Sequence, residues 1–164
     1  MKHRAKRLIK SSGANFSRCQ RYRYTLWRRW DQHEPAVMMI GLNPSTADAH
    51  RDDPTIRRCI GFARDWGAGG LVMTNLFAFR ATYPTDLKRA ADPIGPRNDA
   101  WIRRMAAVSS IVVAAWGNDG QWLDRSNAIK KKLGRRLQII RLNKSGEPAH
   151  PLYLPKHLRP LAWF

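Results

Sequence analysis

The chain has 164 residues, 43% of them hydrophobic, with 30 lysines and arginines against 12 acidic residues and a formal net charge of +18. That length makes one ordinary domain that can bury a core without disulfides or metal, and the apolar share excludes a disordered polyelectrolyte. So large a positive excess repels itself in a compact fold and points to an anionic partner, nucleic acid first.

Residues 1–17, opening "MKHRAKRLIK", are basic and lack an apolar period; they read as a flexible tail ahead of a single α/β domain over 18–164. "RYRYTLW" (21–27) alternates as a strand, and "PAVMMIGL" (35–42) reads as a buried one. In "DDPTIRRCIGFARDWGAGG", Asp53 predicts an N-cap and Pro54 the first helical position. Ile56, Ile60, Ala63 and Trp66 then share a face, and Gly67 ends the helix. "GLVMTNL" predicts a buried strand closing in Thr74 and Asn75. Helical periods follow at 85–91 and 96–108, the second with a stripe of Trp101, Met105 and Val108. "SSIVVAAWGNDG" gives a third central strand, ending at Gly117 and Asn118. A helix over 121–133 carries Leu123, Ile129 and Leu133 inward, and "LQIIRL" is the last clear strand. Strands alternating with helices, without repeat or linker, predict a three-layer α/β/α sandwich around a mostly parallel four-stranded sheet.

No stretch approaches the ~20 apolar residues of a membrane span and no signal-peptide core is present, so the expected location is the cytoplasm, away from membranes. Cys19 and Cys59 lie far apart, and the five histidines show no metal-binding spacing, so neither metal nor other cofactor is expected. Basic residues occur all along the chain, as suits a polyanion backbone; Arg57, Arg58, Arg80, Lys144 and Lys156 are the candidate contacts.

Asn43, Asn75 and Asn118 each follow an apolar run, so a parallel sheet gathers their amides at one edge, where α/β folds bind ligands. An amide offers both a donor and an acceptor, which suits reading the edge of a planar heterocycle such as a nucleobase.

The blocks "IGLNPSTAD", "DDPTIRRC", "GGLVMTNLFAFRAT" and "DPIGPRNDAWI" resemble, in that order, the bacterial and phage family called domain of unknown function 1643, over roughly residues 18–163. More distantly, the segment order resembles the uracil-DNA glycosylase superfamily. The corresponding pieces are Gly41-Leu42-Asn43-Pro44-Ser45, Thr74-Asn75, the strand running to Gly117, and His150-Pro151. That likeness implies a glycosylase-like fold and a monofunctional, base-flipping DNA-repair hydrolase that removes a modified or mismatched base. It implies that Asn43 positions the attacking water, Asn75 reads the base edge and His150 bonds the departing base. Gly41, Leu42, Pro44, Ser45, Thr74, Phe77, Gly117, Asn118 and Pro151 complete the substrate-binding set.

Ser45 stands where the related loop carries glycine, and no aromatic follows that loop, which leaves Phe77 or Phe79 to stack on the base. The late loop also lacks the serine-rich wedge of true uracil enzymes. An amide cannot take a proton from water as a carboxylate would, so an amide-only site would be slow; Asp48, Asp52 and Asp53 are the alternatives for that task, with Asp53, the helix cap, in the catalytic set. Trp27, Trp30 and Trp163 are further candidates for stacking on bases. Two other readings stand beside this one: a non-catalytic nucleic-acid-binding module with the same cleft, and an enzyme acting on free nucleotides or nucleosides.

Overall fold

A computed structural model describes residues 8–164. In chain order the elements are β1 (Ser11–Phe16), β2 (Arg23–Arg29), β3 (Ala36–Gly41), α1 (Pro54–Asp65), β4 (Gly70–Asn75), α2 (Pro84–Arg89), α3 (Asn98–Val108), β5 (Ile111–Ala114), α4 (Arg125–Leu133), β6 (Leu137–Ile139) and β7 (Leu161–Ala162). Short 3₁₀ segments precede and follow α4, and another covers Pro151–Tyr153.

All the strands join one sheet in the order β1-β2-β4-β3-β5-β6-β7. Strands β4, β3, β5 and β6 run parallel, while β1, β2 and β7 add antiparallel edges. The sheet therefore has seven strands where the sequence predicts four. Part of the excess comes from the expected tail: Ser11–Phe16 pair with β2, and only residues 1–7 of that segment lie outside the described residues. Every residue of β3 is buried, which explains its unbroken apolar run: it is the middle strand, covered on both faces.

Helix α1 packs on one face through Ile56, Cys59, Phe62 and Ala63, with Met39, Leu71 and Val113 of the sheet. On the other face Leu87 of α2, Ile102 and Ala106 of α3 and Ile129 of α4 meet Met38, Ile40 and Val112. Asp53 caps α1, its Oδ1 accepting from the Ile56 amide at 2.8 Å, with Pro54 opening the helix as the sequence predicts.

Two sequence expectations fail here for local reasons. In α3 the buried positions are Asn98, Ile102 and Ala106, while Val108, expected inside, is 69% exposed. The helix is turned by Asn98, whose Nδ2 donates to the carbonyl oxygens of Asn75 at 2.8 Å and Leu76 at 3.0 Å. Likewise α4 starts at Arg125 and not Gln121. Trp122 is extended so that its ring meets Phe77, and Leu123 and Asp124 adopt left-handed φ of 52° and 56°, turning Leu123 out to solvent.

Candidate functional site

The parallel register brings three strand ends to one level. Gly41 lies opposite Asn75, and Ile40 opposite both Thr74 and Ala114, so the chain leaves β3, β4 and β5 along a common edge. The later loop is tied in by backbone bonds from the Gly117 amide to Pro148 O and from the Ala149 amide to Arg141 O, which deliver His150 to the same place. Gly117 has φ +75°, a conformation that a side chain resists, and so permits this sharp exit. Together these loops line a cleft of about 510 Å³ that includes Gly41, Leu42, Asn43, Pro44, Ser45, Asp53, Asn75, Gly117, Asn118 and His150.

Within the cleft the polar atoms are already oriented. Nδ2 of Asn43 donates to Ala81 O at 2.8 Å and to Pro44 O at 3.1 Å, so Oδ1 is left as its acceptor. Asn75 is arranged the other way round: Oδ1 accepts from Nη2 of Arg23 at 3.4 Å, and Nδ2 has no partner among the described residues. Gly41 makes room for that amide, since a Cβ there would lie 2.8 Å from Asn75 Nδ2. The strand end carrying Asn75 is held from behind by Asn98 and by Arg125, which donates twice to Leu76 O and pairs with Asp99 at 2.7 Å.

Nδ1 of His150 accepts from the Leu152 amide at 3.2 Å, which assigns the ring proton to Nε2. Burial lowers the imidazole pKa below its ordinary value, with the charge of Asp53 working in the opposite sense, so the ring is a neutral donor at physiological pH. Of the three candidate carboxylates only Asp53 lines the cleft. Asp52 pairs with the buried Arg28 at 2.8 Å, and Asp48 accepts from the His50 and Arg51 amides in its own turn. Asp53 spends Oδ1 on the helix cap, and its Oδ2 has no partner among the described residues, so one carboxylate oxygen is free for chemistry. Asn118 sits at the rim, its Oδ1 accepting from Asn143 and Ser145.

Residues 23–152 match the model of a family described as "Protein of unknown function (DUF1643)". The chain belongs to the DUF1643 family. No curated protein and no solved structure gives a significant match.

In this DUF1643 protein the matched span begins at Arg23 and takes in the whole cleft lining except Tyr153. Three predicted substrate-binding residues are not in that lining. Thr74 and Phe77 are fully buried beneath it, Phe77 against Trp122, and Pro151 is buried behind His150. Phe79 is also occupied, edge-on to Tyr22 at 5.9 Å, so neither phenylalanine is free to stack on a base. The aromatic residues at the cleft are Trp116, buried with Nε1 on Glu147, and Tyr153, 84% exposed beside the His150 ring. Of the tryptophans proposed for stacking, Trp30 is buried under Arg64, Trp27 covers Gly13, and Trp163 packs on Trp116.

The predicted basic contacts divide. Arg57, Arg58 and Lys156 share a second groove of about 660 Å³ along α1, where Arg58 donates to Leu154 O. Arg80 lies over the Phe16 ring, and Lys144 sits on the turn whose neighbours hold Asn118. Among the described residues, no three His, Cys, Asp or Glu side chains gather as metal ligands, and no helix is long and apolar enough to cross a membrane.

Sequence reasoning missed Arg23, which is 2% exposed and lines the cleft. Its one advance signal is a charge set between Tyr22 and Tyr24 inside a strand.

Proposed function

We propose that this DUF1643 protein is a DNA-binding N-glycosylase that hydrolyses the bond between deoxyribose and a modified or mismatched base. The observation that carries the proposal is the convergence of Asn43, Asp53, Asn75 and His150 on one cleft, each with an atom left free for a ligand. The resemblance of the segment order to that of uracil-DNA glycosylases supports the same reading.

Cleaving an N-glycosidic bond builds positive charge on the sugar and negative charge on the base, so the site needs donors to the base and one placed water. In the proposed reaction Asn43 Oδ1 accepts a hydrogen bond from that water, and Asp53 Oδ2 takes its proton as the oxygen bonds to C1′. The base leaves with the electron pair of the broken bond, receiving hydrogen bonds from Asn75 Nδ2 and His150 Nε2. Tyr153, exposed beside the His150 ring, supplies the aromatic surface that the first loop lacks. On duplex DNA the nucleotide must be flipped out at a cost of a few kcal/mol, which cations along α1 offset by holding flanking phosphates.

Incubation with oligonucleotides carrying uracil, hydroxymethyluracil, hypoxanthine or alkylated bases, followed by alkali, tests the proposal. Strand breaks at one modified position, lost in Asn43→Ala while binding persists, are expected. Salt-sensitive binding with no breaks on any substrate favours the non-catalytic binding module. Turnover of monomers alone favours an enzyme of free nucleotides.

A further inference from the structure

Among the described residues three arginines are buried, and two have carboxylate partners: Arg28 with Asp52 and Arg125 with Asp99. Arg23 has none among the described residues. Its Nη1 donates to Ala47 O at 3.0 Å, its Nη2 to Asn75 Oδ1 at 3.4 Å, and its buried Nε has no partner. An unpaired buried cation is costly and calls for an explanation. Burial pulls its pKa down to about 10, with Asp53 opposing, which still leaves it charged at neutral pH.

A guanidinium can only donate, so it fixes which end of the neighbouring amide faces it. Flipping Asn75 would set Nδ2 against Nη2, donor against donor, beside a full positive charge. The absence of a Cβ at Gly41 leaves room for Nδ2 on the side away from Arg23, where a Cβ would approach it to 2.8 Å. The amide therefore shows the cleft its N–H groups, backed by positive charge, and a ligand must answer with an acceptor.

Resting on the nucleobase reading of this cleft, we infer that Arg23 is a positioning residue that locks Asn75 as a donor. It thereby selects rings presenting an oxo group at that edge over rings presenting an amino group, and favours the ring more as it becomes anionic. An exocyclic amino group would meet Asn75 Nδ2 donor to donor. An oxo group accepts, and negative charge accumulating on it is stabilised by Arg23 through the polarised amide.

Equilibrium binding of free uracil, cytosine and 5-nitrouracil, an acidic ring that is anionic at pH 8, to the full chain tests this without requiring bond cleavage. The wild-type protein is expected to bind 5-nitrouracil more tightly than uracil, and uracil more tightly than cytosine. Each step should be about tenfold or more, as for a hydrogen bond supported by charge. Arg23→Met should compress both steps below about threefold, whereas Arg23→Lys keeps the charge and should retain the preference for the anion. Equal wild-type affinity for uracil and cytosine, indifference to ring charge, or no saturable binding of any of the three overturns the inference, whether or not the variants fold. A folded Arg23→Met with the wild-type order does so as well. Ring selectivity without base release from DNA would instead remove the glycosylase reading and leave the role of Arg23 standing.

Discussion

Asp53 holds the end of α1 and lines the cleft, and the two roles separate on substitution. Asparagine keeps an oxygen where Oδ1 accepts from the Ile56 amide at 2.8 Å, and it is as good an N-cap as aspartate. Asp53→Asn therefore gives up the favourable charge at the helix N-terminus, ~0.3–1 kcal/mol, together with its attraction to the buried Arg23. Alanine removes the cap and costs ~0.5–2 kcal/mol. At this chain length 1 kcal/mol moves Tm by roughly 2–4 °C, so the asparagine variant should melt within a few degrees of wild type and the alanine variant at or below it. Catalysis should behave differently: a positioned base contributes ~10²- to 10⁴-fold, and neither replacement can take a proton from water. Single-turnover base release measured beside thermal melts on both variants makes the comparison. Asp53→Asn is expected to keep the fold and lose at least about 100-fold in rate. If it retains activity within about threefold of wild type, Asp53 is a helix cap alone and the proton goes elsewhere.

Gly41→Ala puts a Cβ 2.8 Å from Asn75 Nδ2, and overpacking of this kind costs ~1–3 kcal/mol. It should weaken uracil binding about tenfold by displacing the reading amide, and an unchanged Kd in isothermal titration would show that Asn75 does not touch the base. For His150 the folded pKa lies below the unfolded value of 6.5, so the unfolded state binds more protons in that window. Its contribution to stability is accordingly complete above about pH 6.5 and is lost as pH falls through the folded pKa. Protonation at Nδ1 would also break its bond to the Leu152 amide. The profile of kcat/KM should show an acidic limb below pH 6.5 that disappears in His150→Gln; a limb above that value would contradict the neutral-donor role. Replacing Arg57 and Lys156 by glutamine should lower the slope of log Kd against log salt on duplex DNA by about two, roughly one per phosphate contact, and an unaltered slope would take the DNA off the α1 groove.

Elements whose local chemistry and tertiary surroundings agree were legible in the sequence. The Asp53-Pro54 start of α1 and the continuous apolar runs of β3 and β4 fall where the residues place them. So does the gathering of Asn43, Asn75 and Asn118, because it follows from parallel strands ending at one level, whereas His150 arrives on a later loop that strand periodicity does not place. What escaped was set by single side chains acting at a distance in sequence. Asn98 turns α3 away from its apolar stripe by bonding to the end of β4, and the packing of Trp122 on Phe77 delays α4. Strand β1 was hidden because "SSGANF" has few large apolar groups and depends on the neighbouring β2 for pairing, with Gly13 leaving room for the Trp27 ring. Arg23 was hidden by its company, since an arginine in an arginine-rich segment carries no mark of burial.

The central claim is that the cleft breaks a glycosidic bond, and the product to look for is the free base. Mass spectrometry of the small-molecule fraction, after excess protein is mixed with each modified oligonucleotide, should detect one released base from wild type and none from Asn43→Ala at matched DNA occupancy. No released base from any substrate under full occupancy, or equal release from the Asn43→Ala protein, would contradict the account.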